Sequence, residues 1–204
     1  MTTLFLKRGL ALAGLVAGLA AALPAQAATA FRFSFDTSSL AGSSGNLDFS
    51  FIGLADAPAA TAAIGALSGG SSAGSALLDG DASATAGGWL LGNGGGFNAV
   101  WQPWSFGQTL SFVVSLDGDY GAAASGTTFA FRLWNADGSQ TLLGGDNFGD
   151  LAHADLLPGG AVVTTLLTAA GGVSPVPEPD MAPLAGLGLA LTGWAVRRQR
   201  RMAA

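Results

Sequence analysis

Apolar and polar residues alternate along most of the middle of this chain, and a two-residue period is the signature of extended strands. In Phe31-Arg32-Phe33-Ser34-Phe35-Asp36 the three phenylalanines fall on one face and the polar residues on the other. The pattern recurs over residues 47–51, 110–116 and 128–134. Apolar runs predict further strands at 62–67, 75–78, 88–91, 99–104 and 162–168. Turn chemistry separates nearly all of them: Gly69-Gly70, Asp79-Gly80, Asn93-Gly94, Asp117-Gly118 and Asp137-Gly138. No segment in this span carries the apolar period of a helix. Short strands in this number predict an all-β domain over residues 28–168, a two-sheet antiparallel β-sandwich of jelly-roll type. Its expected core is Phe33, Phe35, Phe49, Phe51, Phe112, Val114, Phe129, Phe131 and Leu133.

Composition then excludes several chemistries. The 204 residues contain no cysteine, which removes disulfide scaffolds, thiolate metal sites and cysteine nucleophiles. Charged residues make up 10% of the chain and are unevenly placed. Lys7 and Arg8 sit near the N-terminus, Arg197, Arg198, Arg200 and Arg201 near the C-terminus, and only Arg32 and Arg132 lie between. Residues 28–174 hold eleven aspartates against those two arginines, a net charge of minus nine that the whole-chain value of minus five conceals. Such a surface repels nucleic acid and anionic lipid and favours cations or neutral ligands.

Both ends carry addresses. Lys7 and Arg8 precede an apolar run over 9–23, and Pro24-Ala25-Gln26-Ala27 places small residues, Ala25 and Ala27, where a signal peptidase reads. Residues 1–27 are therefore expected to be a secretory signal peptide cleaved after Ala27. An uncleaved anchor is the alternative, but the fifteen residues of the run fall short of a span, which takes about 20 in a helix. At the other end, a Gly/Ser/Pro linker is expected over 169–176. Pro177, Glu178 and Pro179 follow as an extended motif, because proline fixes its own φ and biases its predecessor away from helix. A short transmembrane helix is expected over 182–196, with Trp194 at the interface. The basic tail 197–201, with Arg197, Arg198, Arg200 and Arg201, is its cytoplasmic stop.

Motif, short apolar helix and basic stop, in that order over the last thirty residues or so, resemble the PEP-CTERM sorting signal. The resemblance implies recognition by exosortase, a membrane transpeptidase-like enzyme, in a Gram-negative bacterium that exports exopolysaccharide. It implies an inner-membrane-anchored precursor that reaches the cell surface or the medium after processing near Pro177–Pro179. The segment order within the domain resembles an uncharacterised β-rich subgroup of PEP-CTERM proteins. Its marks are Phe-x-Phe-Asp-Thr-Ser-x-Leu at the start, Asp56-Ala57-Pro58 after the second strand, and Phe97, Trp101, Trp104 and Phe106 before the strongest strand.

Catalysis of the familiar kinds needs a base near neutral pKa, an activated nucleophile, or a paired acid and base. The domain offers one histidine, His153, expected in a loop among acidic neighbours, and no Gly-x-Ser-x-Gly elbow accompanies it. Aspartates recur at Asp79/Asp81, Asp117/Asp119 and Asp146-Asn147-Phe148-Gly149-Asp150. Turn formation is the competing role for each pair. Asp146, Asn147 and Asp150 are the best candidates for a calcium site, although no EF-hand pattern is present and no cofactor is otherwise implied. The tryptophans, interleaved with Asn93, Asn98 and Gln102, suit a polysaccharide-binding patch as well as they suit core packing. Trp101 and Trp104 are the candidate stacking residues; three apart, they face opposite sides of a continuous strand. The expected function is a non-catalytic surface or extracellular-matrix protein associated with exopolysaccharide and biofilm. Its alternative is a secreted carbohydrate-active hydrolase or lyase using aspartates alone.

Overall fold

The computed structural model describes residues 29–120 and 124–177. The expected signal peptide, the transmembrane helix 182–196, the basic tail, and Glu178 and Pro179 lie outside the described residues. Among the described residues no helix is long and apolar enough to cross a membrane.

The chain is all-β. Its strands are β1 (Thr29–Asp36), β2 (Ser44–Gly53), β3 (Ala60–Ser72), β4 (Leu77–Asp79), β5 (Ala82–Thr85), β6 (Gly88–Gly92), β7 (Phe97–Gly118), β8 (Thr127–Asn135), β9 (Asp150–Leu156), β10 (Val162–Leu166) and β11 (Gly171–Pro175). All pairings are antiparallel and run in the order β10-β9-β8-β2-β7-β3-β6-β5, with β4 also on β7 and β1 bridging β7 to β11.

β7 organises the domain. It merges the two strands expected at 99–104 and 110–116, because alternation continues across the junction: Val100, Trp104, Phe106, Leu110, Phe112, Val114 and Leu116 all point inward. The first half of β7 pairs with β2 and β4 and the second half with β1, while β3 runs along the second half and continues past its register shifts to Phe106, Ser105 and Trp104. Opposite the change of partners, β3 carries two register shifts, between Gly65 and Ser68 and between Ser68 and Gly70. Gly69 there has a φ of 86°, and a Cβ on it would lie 1.7 Å from the Thr109 carbonyl oxygen. Only glycine fits this bulge, which adds local twist.

All nine residues expected in the core are buried. Phe35 on β1 and Phe131 on β8 belong to strands that do not pair, yet their ring centroids are 5.1 Å apart. Phe49 and Phe112 meet edge to face at 5.0 Å between them. Each buried phenylalanine contributes about 1.5 to 3 kcal/mol relative to exposure, so this cluster is the main source of stability.

Two expectations are corrected. The segment 169–176 is not a free linker: β11 occupies most of it and pairs with β1 from Phe31↔Pro175 to Phe35↔Gly171. Val173 packs against the core, and a Cβ on Gly171 would approach the Phe35 ring at 2.9 Å. An edge strand tolerates the closing Pro175 because one side needs no donor. His153 is likewise not a loop residue but sits within β9, opposite Ala130 of β8 and Thr165 of β10.

Candidate functional site

β2 lies between β7 and β8 and is covered on both faces. Leu47, Phe49 and Phe51 enter the core, which turns Asn46, Asp48 and Ser50 to the other side, where they too are buried. Register then sets one row across that face: Trp101 on β7 opposite Asp48 on β2, Asp48 opposite Arg132 on β8, and Arg132 opposite Asp150 on β9.

The row is a hydrogen-bonded charge network. Asp48 Oδ2 accepts from Arg132 NH1 at 3.2 Å and from Trp134 Nε1 at 3.1 Å. Arg132 Nε pairs with Asp150 Oδ1, and His153 Nε2 donates to Asp150 Oδ2 at 2.8 Å. The side chains of Arg132, Asp48 and Asp150 are 13%, 9% and 7% exposed. Buried charges of this kind persist only when paired and bonded. The hydrogen bond to Asp150 raises the His153 pKa above its ordinary value against the opposing effect of burial, aided by the charges of Asp150, Asp155 and Asp146. Burial opposes the charge on Asp146, but the backbone N–H groups of Asp150 and Phe148 outweigh it and hold that carboxyl below its usual pKa.

The calcium candidates are only partly brought together. Asp146 and Asp150 approach one another, but the third member of the group is His153, with one ligand atom from each of the three within 4.8 Å of the others. Asn147 is exposed on the turn between the two aspartates. Asp146 Oδ1 caps the turn, accepting from Phe148 N at 2.8 Å and Asp150 N at 2.9 Å. Both Asp150 oxygens already face protein donors, Arg132 and His153, so the carboxylates serve the fold first.

The two tryptophans separate as three-residue spacing requires. Trp104 is 6% exposed, belongs to the core, and is therefore no stacking surface for a ligand. Its indole lies so close to β3 that a Cβ on Gly70 would come within 2.3 Å of Nε1. Trp101 is on the outer side, partly exposed, with its ring centroid 5.7 Å from that of Trp134. The Asp137-Gly138 turn lies against it, where a Cβ on Gly138 would be 3.3 Å from the indole. Beside Trp101 runs a groove of about 440 Å³ lined by Asp48, Leu77, Leu78, Asp79 and Phe97 among others. Leu77 and Phe97 are 70% and 49% exposed, so its walls are apolar and open to solvent.

Sequence reasoning missed Trp134, Arg132 and Asp48 as a unit. Alternation within β8 was the available signal: with Phe129, Phe131 and Leu133 inward, Arg132 and Trp134 must turn outward. Of the sorting motif, Pro177 alone is described; it is exposed and follows Val176, whose N–H donates to the Ala30 carbonyl at 2.8 Å. In comparisons with known proteins, the chain matches no family model and no curated protein.

Proposed function

We propose that this chain is an exported, non-catalytic surface or extracellular-matrix protein, sorted by exosortase through its PEP-CTERM-like tail and associated with exopolysaccharide through the face around Trp101. The observation that carries the binding half is the partly exposed Trp101–Trp134 pair beside an open groove. An indole face stacks on a sugar ring, and neighbouring polar groups fix its orientation. We read the strands on the two halves of β7 as the two sheets of a jelly-roll-like sandwich joined through β7 and β3, a reading supported by the Phe35–Phe131 contact between unpaired strands. Against the carbohydrate-active enzyme alternative stands the engagement of Asp48 and Asp150 by Arg132, since a catalytic carboxylate must be free to meet substrate.

The sorting half rests on the order of motif, apolar stretch and basic cluster in the sequence. Pro177 begins one residue after the last β1–β11 hydrogen bond, so the motif follows the folded domain without a spacer. Replacing Pro177, Glu178 and Pro179 by alanine is expected to leave the protein in the membrane fraction. Recovery of that variant in the medium with unchanged mass and yield would refute sorting. Loss of exopolysaccharide binding in a folded Trp101→Ala variant tests the other half.

A further inference from the structure

The groove beside Trp101 has a chemical character that narrows its occupant. Asp48 and Asp79 line it, but Arg132 neutralises Asp48, so the groove's negative charge comes from Asp79 and from Asp137 on the turn packed against the Trp101 indole. Asp79 and Asp137 are exposed. Lysine and arginine are represented among the described residues by Arg32 and Arg132 only. Arg32 lies on β1, away from this face, and Arg132 is tied to Asp48 and Asp150. The groove therefore presents aromatic faces and negative charge with no unpaired cation to receive an anionic ligand.

Taking the glycan-binding reading above as the starting point, we infer that the groove takes a polysaccharide bearing ammonium groups, that is, a chain with free amino sugars. Aromatic faces attract cations through the ring quadrupole, tryptophan most strongly. Carboxylates at the rim add a second attraction for the same charge, and they repel uronic acid chains. Phe97 and Trp101 lie four residues apart on one strand, about 13 Å along it, which sets two aromatic contacts at different points of an extended oligosaccharide. Leu77 and Leu78 supply apolar wall for the carbon-rich edges of sugar rings.

Calorimetric titration of the full-length chain with hexamers of glucosamine, N-acetylglucosamine and guluronate, and with hexalysine, tests this. The glucosamine hexamer is expected to bind most tightly, about tenfold more so than its acetylated counterpart, with no measurable binding of the guluronate. Trp101→Ala is expected to remove about tenfold of the glucosamine affinity while leaving hexalysine unaffected. Asp79→Asn, at the exposed end of β4 where the side chain is open to solvent, is expected to narrow the preference for glucosamine over its acetylated form. Equal or tighter binding of the acetylated or guluronate hexamer overturns the inference but leaves a glycan site standing. Hexalysine binding equal to glucosamine with no effect of Trp101→Ala assigns the attraction to the acidic surface at large and overturns it. A dimer in sedimentation that Leu77→Asp dissolves gives the groove to a second copy, with the same consequence. Failure of all three sugar hexamers to bind removes the glycan reading as well.

Discussion

Asp48 and Asp150 hold one guanidinium between them: Arg132 NH1 lies 3.2 Å from Asp48 Oδ2, and Arg132 Nε faces Asp150 Oδ1. β2 and the later strands β8 and β9 thus share a single largely buried cation, with Asp48 and Arg132 separated by 84 positions in the sequence. This arrangement ties β2, β8 and β9 together on the face opposite the phenylalanine cluster.

Arg132→Met is expected to leave two nearly buried carboxylates without their partner. Breaking such a network costs about 3 to 5 kcal/mol. Urea unfolding followed by tryptophan fluorescence measures it, and a loss below about 1 kcal/mol would mean that the site behaves as an exposed ion pair. Adding Asp48→Asn and Asp150→Asn to the Arg132 variant is expected to restore part of the stability.

His153 makes stability depend on pH in a definite direction. Its folded pKa is raised above 6.5 by the bond to Asp150, so the protonated form is favoured by folding. The resulting stabilisation is fully present below the unfolded value and disappears as pH rises through the folded one. Burial opposes the charge on His153, while Asp150, Asp155 and Asp146 support it, and Arg132 shares the Asp150 carboxylate with it. Melting temperatures across neutral pH are expected to fall with rising pH in the parent and to fall less in His153→Gln. Identical slopes would detach the histidine from the network.

Phe131→Ala empties the centre of the aromatic cluster, where Phe131 meets Phe35, Phe49 and Phe112. A loss of about 3 to 5 kcal/mol is expected. Leu77→Ser, at a position 70% exposed, is expected to stay within about 0.5 kcal/mol. Equilibrium unfolding of the two side by side checks the contrast; similar losses would show that the core is not where the phenylalanines meet.

Calcium is expected to change the melting temperature no more than magnesium does. A site shared by Asp146 and Asp150 would stabilise the folded form by about 2.7 kcal/mol at a hundredfold excess over its dissociation constant. Here Asp150 already binds Arg132 and His153, and Asp146 caps its own turn. A calcium-specific rise of several degrees over chelator would show that the ion displaces those bonds.

Strand identity was legible wherever large apolar residues alternate with polar ones. Phe33, Phe35, Phe49, Phe129 and Phe131 announce their faces directly, and each is buried as expected. β9 escaped notice because its inward positions include Ala152 and Ala154, whose small side chains leave the pattern faint beside Asp150, His153 and Asp155. β7 read as two strands because Gly107, Gln108 and Thr109 resemble a break, although the backbone runs through them. The Asp48–Arg132–Asp150 row depends on register between distant strands, which local pattern does not encode. Trp101 and Trp104 were separable in principle by their odd spacing, but which one faced outward followed only from the burial of Val100 and Phe106 on the Trp104 side.

The pairing of β1 with both β7 and β11 sets an order in time. β1 is the first of the described strands to be synthesised, yet one of its edges waits for residues 109–116 and the other for residues 171–175. Until the last of these emerges, Phe31, Phe33 and Phe35 lie on a strand with an open edge, the kind of surface that recruits stray chains. Contacts between such remote segments also form slowly. Under the export proposed above, this delay would keep the first described strand unclosed until almost the whole domain had been made.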